Sequence, residues 1–207
     1  MNSELQHERW QRLWTALGAP PAPERFEQLR TLYAEPGRHY HNATHILACL
    51  QGFDELRDLA EAPLQVELAI WYHDAIYDPS RQDNEARSAD LAGEVLACAG
   101  LDHCRQAVID LIMATDHRQP ASTHDQRLLV DIDLSILGAD APAYRTYTEA
   151  VRREYGRFPD ALYRPGRAAV LKKFLQRPVI FTTEPGRARW EAPARRNIEA
   201  EIRELEA

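Results

Sequence analysis

Residues 64–77 read Leu-Gln-Val-Glu-Leu-Ala-Ile-Trp-Tyr-His-Asp-Ala-Ile-Tyr. The run is apolar nearly all round, which predicts a central helix, since a helix with one wet face shows polar residues every three or four positions. Outward from it the same period recurs. Ile46, Leu47, Leu50 and Phe53 mark one face of a helix over 44–59, and Ala107, Val108, Leu111 and Ile112 mark another over 105–115. Further helices are predicted over 5–17, from after Pro23 to about Tyr33, and over 85–99, 128–137, 143–155, 162–175 and 187–205. Gly18-Ala-Pro-Pro-Ala-Pro23 stops the first, because proline cannot continue a helix and restrains the residue before it. Only 179–183 (Val-Ile-Phe-Thr-Thr) has strand character, and it has no partner in the sequence. The expected fold is all-α, a single-domain helical bundle over 1–207, with no repeat or linker to mark a second domain.

The 207 residues, 44% hydrophobic and 28% charged, suit one folded domain and exclude pervasive disorder. No stretch approaches the roughly 18–20 apolar residues that span a bilayer. Cys49, Cys98 and Cys104 are odd in number and form no C-x-x-C pair, so they read as free thiols of a cytoplasmic protein. A net charge of −7 argues against binding a nucleic-acid polymer. The charge is uneven: between Arg145 and Arg196, 11 arginines and 2 lysines stand against 5 acidic residues. Such a segment suits either a solvated helical surface or a phosphate-bearing ligand.

Histidines and carboxylates break the apolar pattern in four places. His41 and His45 are spaced to share a helix face. His73-Asp74 sits in the apolar run, His117 ends the helix over 105–115, and Asp131-Ile-Asp133 lies in the helix over 128–137. An ionised carboxylate in an apolar helix is costly unless it is paired or binds a metal. Imidazole and carboxylate together suit a divalent cation, with Mn, Mg, Zn, Ni and Fe all open. Asp131 and Asp133 are about 200° apart on a helix, so one metal takes only one of them. Leu129, Val130, Ile136 and Leu137 flank Asp133, whereas Arg127, Leu128, Leu134 and Ser135 flank Asp131. Asp133 is therefore expected to face the core as the ligand. Asp131 is the second choice, expected to pair with a basic residue or to orient a ligand histidine.

The ordered set His45, His73-Asp74 and Asp133 resembles the signature of the HD-domain metal-dependent phosphohydrolase superfamily. Tyr40-His-Asn-Ala-Thr-His45 and Ile132-Asp-Leu-Ser135 are similar to motifs of cyclic-nucleotide phosphodiesterases. The wider chain resembles a small bacterial group described as predicted metal-dependent HD phosphohydrolases. It shares Arg38-His-Tyr-His, 71–78 (Trp-Tyr-His-Asp-Ala-Ile-Tyr-Asp), Asn84-Glu-Ala-Arg-Ser88, 131–138 and Gly166-Arg167. The resemblance is centred on residues 38–138, with 139–207 as helices completing the domain.

The resemblance implies a helical HD bundle that hydrolyses a small phosphate ester or anhydride, a nucleotide above all. It implies a divalent cation on His45, His73, Asp74 and Asp133, with His41 as general acid. Imidazole suits that role because it exchanges a proton near neutral pH. Glu85 would orient the attacking water or bind a second ion; the plain alternative is a carboxylate favoured at a helix N-terminus. Arg38 and His117 are candidate phosphate contacts, the latter also a candidate helix cap or second-metal ligand. Tyr40, Tyr72 and Tyr77 are expected to pack in the core more than to stack a base. Nothing matches the purine-clamping glutamine of the phosphodiesterases, and Asp78-Pro79 stands where alarmone hydrolases carry Glu-Asp. Two other readings fit the same residues, a di-iron oxygenase and a non-catalytic metal- and nucleotide-binding sensor. Self-association is left open.

Overall fold

The computed structural model describes residues 5–207 and is all-helical; among these residues there is no strand. The chain falls into two compact units that divide between Leu129 and Val130. Among the described residues no helix is long and apolar enough to cross a membrane.

The first unit carries α1 (His7–Ala16), α2 (Pro23–Tyr33), α3 (Ala43–Leu56), α4 (Pro63–Tyr72), α5 (Asn84–Cys98), α6 (Asp102–Met113) and the start of α7 (His124–Asp133). Gly18 ends the first helical segment at φ +82°, a left-handed conformation open to glycine at little cost. Pro63 opens α4, and Asp125 accepts from the backbone N–H groups of Glu61 and Ala62, both at 2.8 Å, which fixes where that helix begins. As its sequence predicts, α4 is central: Val66, Leu68, Ala69, Ile70 and Trp71 are fully buried, and it packs on α1, α3, α5 and α6. Trp10 meets Trp14 at 5.3 Å and Trp71 edge-on at 5.4 Å between ring centroids. Each such burial contributes about 1.5–3 kcal/mol. Glu67 breaks the apolar run, and its buried carboxylate is paired with Arg9 at 2.7 Å and with Arg57.

The helix over 64–77 is shorter than its hydropathy predicts. It ends at Tyr72, so His73 and Asp74 sit on the turn that leaves it. Polar groups from distant parts of the chain hold that turn open. Tyr33 Oη donates to Trp71 O at 2.9 Å, and the Arg38 guanidinium donates to Asp74 O at 2.6 Å and Ala75 O at 2.7 Å. Ser88 Oγ accepts from Ile76 N at 3.0 Å. With these partners the backbone leaves the helix without orphaning its buried groups.

The second unit continues α7 through a 3-10 turn (Leu134–Gly138) into α8 (Ala141–Glu154) and α9 (Asp160–Gln176). A short turn α10 (Glu184–Gly186), a π-helical turn (Arg187–Glu191) and α11 (Ala192–Glu206) follow. α11 packs on α9 and on the 3-10 turn. Residues 179–183 are not a strand. Their amides turn to carboxylates instead: Ile180 N and Phe181 N donate to Glu191 Oε2 at 2.9 and 3.0 Å, and Thr182 N and Thr183 N to Asp131 at 2.9 and 2.8 Å. Much of the basic segment is tied down within this unit. Arg152 pairs with Asp160, Arg167 with Glu201, Lys172 with Glu206 and Arg195 with Glu191, while Arg164 donates to the carbonyls of Glu204 and Leu205.

Candidate metal centre

Asn42 caps α3 by accepting from Thr44 N at 2.9 Å, which sets His45 on the first turn. His41 precedes this cap, so it does not share a helix face with His45 as its spacing predicts. A turn brings it there instead. Arg38 donates to His41 O at 3.1 Å, the His41 ring stacks on Tyr77 at 4.2 Å, and its centroid lies 6.0 Å from that of His45.

Three ligand atoms converge between α3 and the turn after α4. His45 Nε2 lies 3.2 Å from His73 Nε2, and the two lie 3.4 and 3.3 Å from Asp74 Oδ2. His45 and His73 are buried, and the Asp74 side chain is 15% exposed. His73 Nδ1 is 3.0 Å from Ile70 O. A carbonyl only accepts, so Nδ1 carries a proton and Nε2 is the nitrogen turned to the neighbours, the orientation a metal-binding histidine needs. Two imidazole nitrogens and a carboxylate oxygen that face one another are held together by shared protons or by a cation. Bonds of about 2.0–2.2 Å to one ion separate N and O ligands by about 3.0 Å at a right angle and about 3.4 Å at the tetrahedral angle. The observed separations fall in that range, so these residues fit a divalent cation. Without a metal a proton takes that place. Burial alone would raise the Asp74 carboxyl, but positive charge on His73 and His41 and hydrogen bonds from His45 and His73 hold it well below the usual carboxylate range.

Asp78 and Asn84 exchange hydrogen bonds at 3.1 and 3.0 Å and so fix the start of α5, where Glu85 stands half-buried. Desolvation raises the Glu85 pKa, and Asp74 and Asp116 raise it further, against a lowering by His117. The fold thus brings Glu85 into electrostatic reach of both Asp74 and His117. His117 caps the 3-10 turn Ala114–Asp116 at φ +58°, which is uncommon for a residue with a Cβ. A raised carboxyl favours folding below its ordinary value of 4.5 and loses that contribution as pH rises through its folded value. Glu85→Gln is therefore expected to stabilise the metal-free protein at neutral pH, by a margin that shrinks as pH falls toward 4.5. Urea unfolding across that range measures it, and a margin that grows on acidification has the wrong sign.

Arg38 is not placed as the phosphate contact its sequence position suggests. Its side chain is 2% exposed, it pairs with Glu35 at 2.8 Å, and its guanidinium holds the carbonyls of His41, Asp74 and Ala75. It positions the site from within the chain. Tyr72 is buried in the aromatic core; Tyr40 and Tyr77 are half-buried and flank His45 and His41 at 4.8 and 4.2 Å.

In the second unit, the burial of the α7 carboxylates reverses the expectation. Asp131 is fully buried and Asp133, the last residue of the helix, is half-buried. Asp131 meets no basic residue. It accepts from the backbone and hydroxyls of Thr182 and Thr183, which occupies both oxygens and leaves it poorly suited to bind a metal. One residue the histidine and carboxylate pattern does not reveal is Cys49, buried one turn after His45 with Sγ 3.7 Å from both ring nitrogens. Its i, i+4 spacing is the available signal. Comparison with protein-family models, curated proteins and solved structures finds no match to this chain.

Proposed function

We propose that the protein is a metal-dependent phosphohydrolase acting on a small phosphate ester or anhydride, a nucleotide above all. The observation that supports this most is the convergence of His45 Nε2, His73 Nε2 and Asp74 Oδ2 within 3.2–3.4 Å. Asp133 is retained from the sequence as the further ligand. A bound divalent cation supplies an acidified water and polarises a phosphoryl oxygen. The chain's own residues do the rest. His41 gives a proton to the leaving oxygen, and Glu85, whose basicity is raised by burial and by Asp74, orients the attacking water. Arg38 keeps the His41 and Asp74 backbones in register. A small substrate fits the net charge of −7 and a basic segment largely paired within its own unit.

The direct test is phosphate release from a nucleotide panel with Mn, Mg, Co, Ni and Zn supplied separately. Cleavage of single-stranded nucleic acid with no turnover of any nucleotide would overturn the substrate class. Independently of turnover, His73→Ala and Asp74→Ala are expected to lose metal on elemental analysis, and the wild type to melt higher with metal than without, since an ion bound only by the folded state stabilises it. Full occupancy in both variants would remove the centre.

A further inference from the structure

We propose that Tyr77 is the positioning residue of the proton donor, its ring holding the His41 imidazole at a fixed place beside the turn that carries His73 and Asp74. This rests on the reading of His41 as general acid and deepens it by naming what aims the acid. His41 precedes Asn42, the residue that caps α3, so the helix does not set the direction of its side chain. A side chain on a turn keeps its rotamer freedom unless its neighbours remove it. Arg38 Nη1 donates to His41 O at 3.1 Å and fixes the backbone, and Tyr40 meets the imidazole edge-on at 4.9 Å. Both belong to the same short segment as His41 and would move with it. Tyr77 does not. It stands three residues after Asp74, on the chain that leaves α4. Its ring lies against the face of His41, with 4.2 Å between centroids and 23° between planes. The acid is thus braced on the piece of chain that supplies two of the three converging atoms. Arg38 ties the two segments together, since its guanidinium holds the carbonyls of Asp74 and Ala75 and lies 5.7 Å from the centre of the Tyr77 ring. A tyrosine that only fills the core is buried, as Tyr72 is, whereas Tyr77 is half-buried at the site. Proton transfer needs the donor within about 2.6–3.2 Å of the oxygen it serves. A misplacement of about 1 Å can cost about 10²-fold in rate. The stack asks residue 77 for a flat face and not for a hydroxyl.

Kinetics on the full-length, metal-loaded protein test the brace. Tyr77→Leu is expected to keep its metal content and KM and to lose kcat by about 10²-fold on a nucleoside monophosphate. The loss should shrink on a p-nitrophenyl ester, which needs little protonation as it leaves. Tyr77→Phe should keep near-normal rates on both substrates. In the His41→Ala background Tyr77→Leu should cost little more, because a brace for an absent ring holds nothing. A merely structural Tyr77 gives equal losses on both substrates that add to those of His41→Ala. That result, or a wild-type rate in Tyr77→Leu, overturns the proposal and leaves the acid assignment standing. Should Tyr77→Leu fail to fold, NMR of the zinc- or magnesium-loaded wild type decides. The His41 ring protons, assigned by their absence from His41→Ala, should lie upfield of those of free histidine, as protons over an aromatic face do. Ordinary shifts remove the stack and the proposal. Near-normal rates for His41→Ala on the monophosphate overturn the acid assignment, and this inference with it. No turnover of any phosphate ester by the wild type overturns the phosphohydrolase reading and both assignments together.

Discussion

His41→Ala is expected to fold, to keep its metal and to lose turnover by about 10²–10⁴-fold on substrates with a poor leaving group, the usual contribution of a proton donor. The imidazole is half-buried, rests on Tyr77 at 4.2 Å and has its centroid 6.0 Å from that of His45. His41 is assigned as acid and not as ligand, so its removal should leave the proposed ligand set whole. A p-nitrophenyl ester needs little protonation as it leaves, so the loss should shrink on that substrate. His45→Ala contrasts with it, because the variant should lose metal and gain nothing from a better leaving group. Near-normal rates for His41→Ala on an alkyl phosphate or nucleoside monophosphate would remove the acid assignment. Metal loss in that variant would make His41 a ligand.

That His45, His73 and Asp74 come together was legible in the sequence because the cause is local. His73-Asp74 interrupts the most apolar run of the chain, and an uncompensated charge there has few explanations. What escaped prediction depends on partners far away in sequence. The end of α4 is held by Tyr33 and Arg38, about 36–38 residues earlier, and nothing between Leu64 and Tyr77 announces it. His41 reaches the site by a turn that Arg38 secures, where spacing alone suggests a continued helix. For Asp131 and Asp133 only the relative burial was misjudged, for a geometric reason; the choice of Asp133 as ligand is untouched by it. Counting neighbours at 3.6 residues per turn assumes that the helix continues, yet it tightens to 3-10 at Leu134. Ile136 and Leu137 then no longer report the face of Asp133. Cys49 was hidden by its chemistry, since an odd cysteine reads as an ordinary buried thiol until its position beside His45 is seen.

Asp131→Ala is expected to cost about 3–5 kcal/mol, the range for breaking a buried charged network, and to leave metal content unchanged in the protein that remains folded. The substitution strips the acceptor from Thr182 N, Thr183 N and Thr183 Oγ1 at 2.9, 2.8 and 2.6 Å, and of these two residues Thr183 is buried. Gly186 belongs to the same device. A Cβ there would stand 2.4 Å from Asp131 Oδ2 and 2.9 Å from Thr183 Oγ1, closer than atoms pack, so Gly186→Ala should destabilise through overlap by about 1–3 kcal/mol or more. The two changes should not add. With Asp131 truncated the closest clash disappears, and Gly186→Ala should cost clearly less in that background than in the wild type. Urea unfolding of the four proteins, with hydrogen exchange of the α11 amides as the local readout, measures the coupling. Strict additivity would mean that the Asp131 carboxylate and the Gly186 turn are not one unit. Loss of metal from Asp131→Ala at unchanged stability would mean that Asp131, and not the threonine-held anchor described here, is a ligand.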